Sequence, residues 1–173
     1  MFTLTETPTH AELILDRPPV NALTFDMIAA ITGMTAALIS HPAPVVAAIN
    51  GHALGGGFVL MLCADYRVCT NADGLGLGLT EAAAGVPFPA GPIEVIKAEL
   101  PPATLRQLTL SSQLLPALTA RRMHIIDEIV DAPSLVNSGR ERLAHLNAQP
   151  AFAAVKRQIR GPLADKLAAL VDR

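Results

Sequence analysis

Pro44-Val45-Val46-Ala47-Ala48-Ile49-Asn50-Gly51-His52-Ala53-Leu54-Gly55-Gly56-Gly57 is the stretch on which the reading of this chain turns. Val45 to Ile49 is short, apolar and partly β-branched, the composition of a buried strand. Consecutive glycines then open an apolar segment, Gly56 to Ala64, that has no polar side. A helix there is expected to be buried on every face. Glycine adopts backbone conformations closed to other residues and lets the chain approach a ligand closely. The first N–H groups of a helix have no partner within it, and the helix dipole adds positive charge. Such a terminus can hold a phosphate or stabilise an oxyanion.

Two phosphate-binding readings fail on the residues. A P-loop ends in Gly-Lys-Ser/Thr, whereas Gly57 is followed by Phe58. A dinucleotide fingerprint needs GxGxxG, and Gly51-x-x-x-Gly55-Gly56-Gly57 does not supply it. A glycine cluster can also serve only to pack a helix tightly on a strand, and these residues alone leave that open.

Upstream, Phe2 to Thr5 and Ala11 to Leu15 alternate and read as a hairpin, with Ala11, Leu13 and Leu15 on one face. Thr24 can cap a helix that has Asp26 in its first turn and a stripe of Met27, Ile31, Met34 and Leu38. Pro42 and Pro44 stop it. Downstream, Asp65 to Cys69 reads as a strand, with Leu75 to Leu79 extended alongside it. Helices are expected over Ile93–Leu100, Ala103–Leu110 and Thr119–Met123. A strand follows at Ile125–Val130, then helices at Leu135–Leu146, Ala151–Arg160 and Leu163–Leu170. Strands early and helices late make an α/β domain with helices packed outside.

Composition narrows the function. The 173 residues suit one domain, and 51% apolar content supplies a core. A net charge of −2, with no basic stripe, argues against nucleic acid as a partner. Mean hydropathy is +0.40, yet the longest apolar run, Phe58 to Ala64, is far short of the roughly 18 residues that span a bilayer, so no membrane partner is expected. The start of the chain has no signal-peptide pattern, and the expected location is cytoplasmic. Cys63 and Cys69 read as buried reduced thiols. The five histidines have no ligand spacing, so no metal is expected.

The stretch quoted first, with Cys63-Ala64-Asp65-Tyr66-Arg67, closely resembles the signature of the crotonase (enoyl-CoA hydratase/isomerase) superfamily. Further matches follow in family order: Pro19-Val20-Asn21-Ala22-Leu23, Gly78-Leu79-Thr80-Glu81 with Gly85-Val86-Pro87, and Leu118-Thr119-Ala120-Arg121-Arg122 with Ile126-Asp127-Glu128-Ile129-Val130. The resemblance implies an α/β, crotonase-like (ClpP/crotonase) ββα spiral core, truncated, over residues 1–110, and a C-terminal helical trimerisation region over 111–173. It implies a homo-oligomer, trimer or hexamer, acting on acyl-CoA thioesters of fatty acid metabolism. No separate cofactor is implied, because CoA is part of the substrate.

Residue by residue, the resemblance places the Gly56 N–H in the oxyanion hole and Glu81 in the role of proton-transferring carboxylate. Gly55, Val59, Thr80, Pro89 and Lys156 are placed on the substrate, Lys156 as the nearest match to a lysine that touches the CoA phosphates; the residue alone better fits a solvated helix lysine. Hydratases of the family carry a second glutamate three residues after the oxyanion glycine; here that position is Val59. One carboxylate is the pattern of the Δ3,Δ2-enoyl-CoA isomerases, since a 1,3-proton shift adds no water. From the residues alone, Glu81 also fits a surface carboxylate at a strand end. Its neighbours Leu75 to Leu79, Val86 and Phe88 favour a raised pKa and hence a better base near neutrality. Asp65 reads as structural and His52 as a packing residue beside the site.

The resemblance breaks at one place. Family members carry a further strand and a Phe-Ser-Ala-Gly-type segment that supplies the second oxyanion donor, and nothing between Ala22 and Val45 matches it. One missing donor typically costs on the order of 100- to 1,000-fold in turnover. A catalytically impaired relative serving as an assembly partner is therefore the second expectation, and an enoyl-CoA hydratase the third.

Overall fold

The computed structural model describes residues 2–15 and 25–171. The proposed Thr24 cap and the Pro19–Leu23 match lie outside them. The chain opens with a hairpin of β1 (Phe2–Glu6) and β2 (Ala11–Leu15), antiparallel with Leu4 opposite Leu13. Its turn is closed by Thr7, whose N–H and Oγ1 both donate to the carbonyl of His10. The face of Ala11, Leu13 and Leu15 is not a buried one: Leu13, like Leu4 and Ile14, is about half exposed. Two strands alone cannot bury both sides of an alternating pattern. The hairpin is tethered instead by Glu12, which accepts from Arg140 at 2.7 Å.

α1 (Phe25–Ser40) packs along α8 (Phe152–Val171) and α4 (Ala90–Glu99). Its most deeply buried line is Ile31, Thr35 and Ile39, with Met27, Met34 and Leu38 partly buried to one side. Thr35 is accommodated because its hydroxyl donates to the carbonyl of Thr32. After α1 a short proline-containing turn leads to β3 (Val46–Ile49). β3 pairs in parallel with β5 (Tyr66–Thr70), and β5 in parallel with β7 (Glu128–Val130). Asp127 straddles Arg67: its carboxylate accepts the Arg67 N–H at 2.8 Å, and its own N–H donates to the Arg67 carbonyl at 3.0 Å. α7 (Leu135–Asn147) covers this sheet, and its Gly139 lies against Ala48 and Val46.

The Leu75–Leu79 segment does not run beside β5. Gly74, at φ +75°, and the bond from Leu75 N–H to the Ala72 carbonyl turn the chain away after β5. Leu77–Gly78 (β6) then pairs in parallel with Ala53–Leu54 (β4), and Leu77 also bridges Leu115. α2 (Gly56–Leu62) crosses between β3 and β5, with Phe58, Val59, Met61 and Leu62 buried and Leu60 partly so. α3 (Glu81–Ala84), α5 (Pro102–Ser111) and α6 (Ala117–Arg122) complete the set. One core joins Phe58 and Leu62 to Ile39, Ile96, Leu108, Ile125 and Leu167.

At the C-terminus one helix stands where two were expected. α8 continues through Pro162, which costs it one backbone hydrogen bond. Burial of Leu167, with Leu163 and Ala164 against the core, holds the second half in line. No helix among the described residues is long and apolar enough to cross a membrane.

Candidate active site

Gly55 sits at φ +51°, ψ −120°, a conformation that only glycine adopts without strain, and it is the residue from which α2 begins. The Gly55 N–H donates to the Gly78 carbonyl at 2.9 Å, and its carbonyl accepts the Val59 N–H at 3.0 Å. That bond is the first of the helix. The amides of Gly56, Gly57 and Phe58 therefore precede the intrahelical ladder. β4 places this turn on the parallel β4–β6 pair. β6 runs through Leu79 and Thr80 into Glu81, the first residue of α3. α3 is a single turn closed by Gly85 in the left-handed conformation, and the Val86 N–H returns to the Glu81 carbonyl at 3.0 Å.

The two strands bring the Glu81 carboxylate onto Gly55. A methyl group built on Gly55 would lie 3.1 Å from Glu81 Oε1 and 3.6 Å from its Cδ. Glu81 is half-buried, and its Oε2 is buried with no hydrogen-bond partner. Desolvation pushes its pKa above the ordinary glutamate range, and the N–H groups of Glu81 and Thr80 oppose that shift in part. A desolvated carboxylate with one unpartnered oxygen thus lies beside the opening amides of a helix, an arrangement that can pair a base with an oxyanion-stabilising terminus.

Val59 is one turn into α2 and fully buried in the core, so its position carries no proton-transferring group. Pro89 heads α4, with its carbonyl accepting the Ile93 N–H at 3.1 Å. The structure thus joins Gly55, Gly56, Thr80 and Glu81. Lys156 is not with them. It is buried at the other end of α2, about 10 Å of helix away at 1.5 Å per residue. There Lys156 Nζ is 2.6 Å from Asp65 Oδ2 and donates to the Ala43 carbonyl at 3.1 Å.

That far end was not foreseen. Asp65 accepts the Val45 N–H at 2.8 Å, the structural role expected of it, and is also paired with Lys156 and Arg160. Arg67 donates to the carbonyls of Met61 and Leu62, and Arg160 to those of Cys63 and Ala64. Both arginines also reach Glu99. The last carbonyls of α2 are thereby satisfied by two cations, which also suits the negative end of its dipole. Sequence spacing gave no warning, because Glu99, Lys156 and Arg160 come from α4 and α8. The two cysteines are buried, and burial pushes Cys63 up to about 12 and Cys69 up to about 11.

The sequence model described as enoyl-CoA hydratase/isomerase matches residues 26–172. Carnitinyl-CoA dehydratases of Citrobacter koseri and of Escherichia coli K12 are 38% and 37% identical over 115 residues, 65% of this chain. The match covers 43% of each of them, so this chain spans less than half the length of these curated relatives. Among solved structures, a probable enoyl-CoA hydratase of Mycobacterium tuberculosis aligns at a TM-score of 0.86 with 23% identity, covering 99% of this chain and 93% of that one. Human mitochondrial Δ3-Δ2-enoyl-CoA isomerase aligns at 0.88 with 17% identity, covering 99% and 87%. At such identities the likeness is one of fold.

Proposed function

Because the chain belongs to the enoyl-CoA hydratase/isomerase family, we propose that it moves a double bond in an acyl-CoA thioester from the 3- to the 2-position, with Glu81 as the base. Its α/β crotonase-like fold with a helical C-terminal region is the one shared with the structures above. The observation that carries the reaction is the desolvated Glu81 carboxylate against the glycine turn, with its Oε2 unpartnered. Glu81 takes a proton from C2 of a 3-enoyl thioester. The electron pair moves onto the thioester carbonyl, making a dienolate that the Gly56 N–H stabilises at the start of α2. Protonated Glu81 then returns the same proton at C4, giving the conjugated 2-enoyl thioester with nothing added or lost. The second oxyanion donor has no assigned residue, since between Phe25 and Val45 the chain is α1 and a short turn.

A second reading, dehydration or hydration, is favoured by the names of the relatives at 37–38% identity. That chemistry wants one group for the C–H proton and another for the hydroxyl or water. Val59, fully buried, stands where the second carboxylate would be. Offering the protein a 3-enoyl thioester and, separately, a 2-enoyl thioester in water decides between the two. The isomerase reading expects a rise in conjugated-thioester absorbance that Glu81→Gln reduces by about 100- to 10,000-fold, the usual worth of a positioned acid–base group. Equal rates in wild type and variant would sink it. Inactivity on both substrates, with an oligomer on sizing, would support the assembly-partner reading instead.

A further inference from the structure

The β4–β6 pairing that carries Glu81 to Gly55 is only two residues long. Its bonds are Ala53 N–H to the Gly76 carbonyl at 3.1 Å and Gly55 N–H to the Gly78 carbonyl at 2.9 Å. So short a ladder, with glycine in β6, specifies its register weakly. A slip of one residue would carry Glu81 roughly 3.3 Å along the strand. Leu115 also bonds Leu77, but from the segment after α5, and so does not tie β6 to β4. One side chain does: His52, directly before β4, accepts the Gly76 N–H on Nδ1 at 3.0 Å. Gly76 is then held by its N–H through His52 and by its carbonyl through Ala53. The fit is close, since a methyl group on Gly76 would lie 3.3 Å from Nδ1 and 3.2 Å from Leu114 Cδ1.

We infer that His52 is a positioning residue: its Nδ1 acceptor locks β6 against β4 in the register that sets Glu81 beside Gly55. This rests on the reading of Glu81 as the base. Accepting at Nδ1 requires the neutral ring with its proton on Nε2, so the role belongs to an acceptor at that place and not to a charge. Asparagine offers an oxygen close to where Nδ1 stands, whereas leucine offers none.

The test compares wild type, His52→Leu and His52→Asn in the full chain by two readouts. One is turnover of a 3-enoyl thioester with kcat and KM separated. The other is the titration of the Glu81 carboxyl followed by carbon NMR, assigned with Glu81→Gln. Loss of the lock should lower kcat in His52→Leu by up to about 100-fold, the scale of a misplacement near 1 Å, with KM unchanged. The Glu81 titration should move down toward the ordinary glutamate range as the carboxylate leaves its desolvated place. His52→Asn should restore both. His52 is exposed, so these variants should fold, and His52→Ala repeats the comparison if leucine does not. Glu81 titrating in His52→Leu as in wild type, or His52→Asn as impaired as His52→Leu, overturns the assignment. If the wild type does not isomerise the thioester, the reaction falls, while the Glu81 titration still decides whether His52 positions it.

Discussion

Gly55→Ala, set against Gly57→Ala two residues on, puts the geometry of the turn to a direct test. Gly55 is at φ +51°, ψ −120°, where an L-residue is strained by about 1–3 kcal/mol. The new methyl would also lie 3.1 Å from Glu81 Oε1, which forces the carboxylate back by a few tenths of an ångström. Gly57 has an ordinary helical backbone, and a methyl there would meet nothing within 4 Å. Alanine at Gly57 should therefore be neutral or stabilise by up to about 1 kcal/mol through helix propensity. For a chain of this size, each kcal/mol moves the melting temperature by about 2–4 °C. Gly55→Ala is expected to melt about 2–12 °C below wild type and Gly57→Ala at or slightly above it, read by calorimetry. Turnover in Gly55→Ala should fall by about tenfold, less than the roughly 100-fold of a full 1 Å misplacement. Identical melting of the two variants would refute both the assigned backbone conformation and the Glu81 contact.

Two further outcomes follow from the charges. Glu81 has a raised pKa in the folded chain, so its contribution to stability is fully present below the unfolded glutamate pKa and is lost as pH rises through the folded value. Glu81→Gln should thus melt above wild type at pH 7, with the gap closing in acid near pH 4. A gap that widens in acid would contradict the sign. At the other end of α2, Asp65→Ala takes from Lys156 its carboxylate and leaves the Val45 N–H unpaired, while Arg160 keeps Glu99, a loss of about 3–5 kcal/mol by urea denaturation. Lys156→Met should cost less, because Asp65 keeps Arg160 and the Val45 N–H, and equal losses would argue against that ordering.

Most elements were legible where one local signal sufficed. The Val45–Gly57 stretch announced strand, glycine turn and buried helix, because apolar runs and glycine act over a few residues. Asp65 could be read as structural because it ends a buried helix. What was missed depends on partners distant in sequence. The alternation of Leu75 to Leu79 fits any extended neighbour, and only the Gly74 turn selects β4 over β5. Ala151–Arg160 and Leu163–Leu170 read as two helices, whereas one runs through Pro162 because burial of Leu167 against the core holds its second half in line. Lys156 carried no mark in its own helix of the Asp65 it would meet 91 residues away. Glu81 was recognisable as a candidate through the family resemblance of Gly78 to Glu81, with its apolar neighbours in support, but its contact with Gly55 needed the β4–β6 pairing, which two residues per strand do not advertise.

The two ends of α2 explain how so exposed a chemical demand can sit in a protein core. A buried seven-residue helix leaves carbonyls at one end and amides at the other that must find partners. At the carbonyl end four acceptors, Met61, Leu62, Cys63 and Ala64, take hydrogen bonds from Arg67 and Arg160, and Asp65 and Glu99 balance those cations. Lys156 adds a third cation held by Asp65 and the Ala43 carbonyl. That end is closed: the three cations share two carboxylates and the backbone carbonyls around them. At the amide end the fold supplies no such answer: the glycines contribute no side chain, and of the two Glu81 carboxylate oxygens beside the turn, Oε2 is left without a partner. Folding alone would favour pairing or exposing that oxygen, since an unsatisfied buried polar atom costs about 1–3 kcal/mol. The ion network at the other end ties α2 to α4 and α8. Weakening the network through Asp65 should therefore lower stability throughout, whereas neutralising Glu81 should raise stability and end the chemistry.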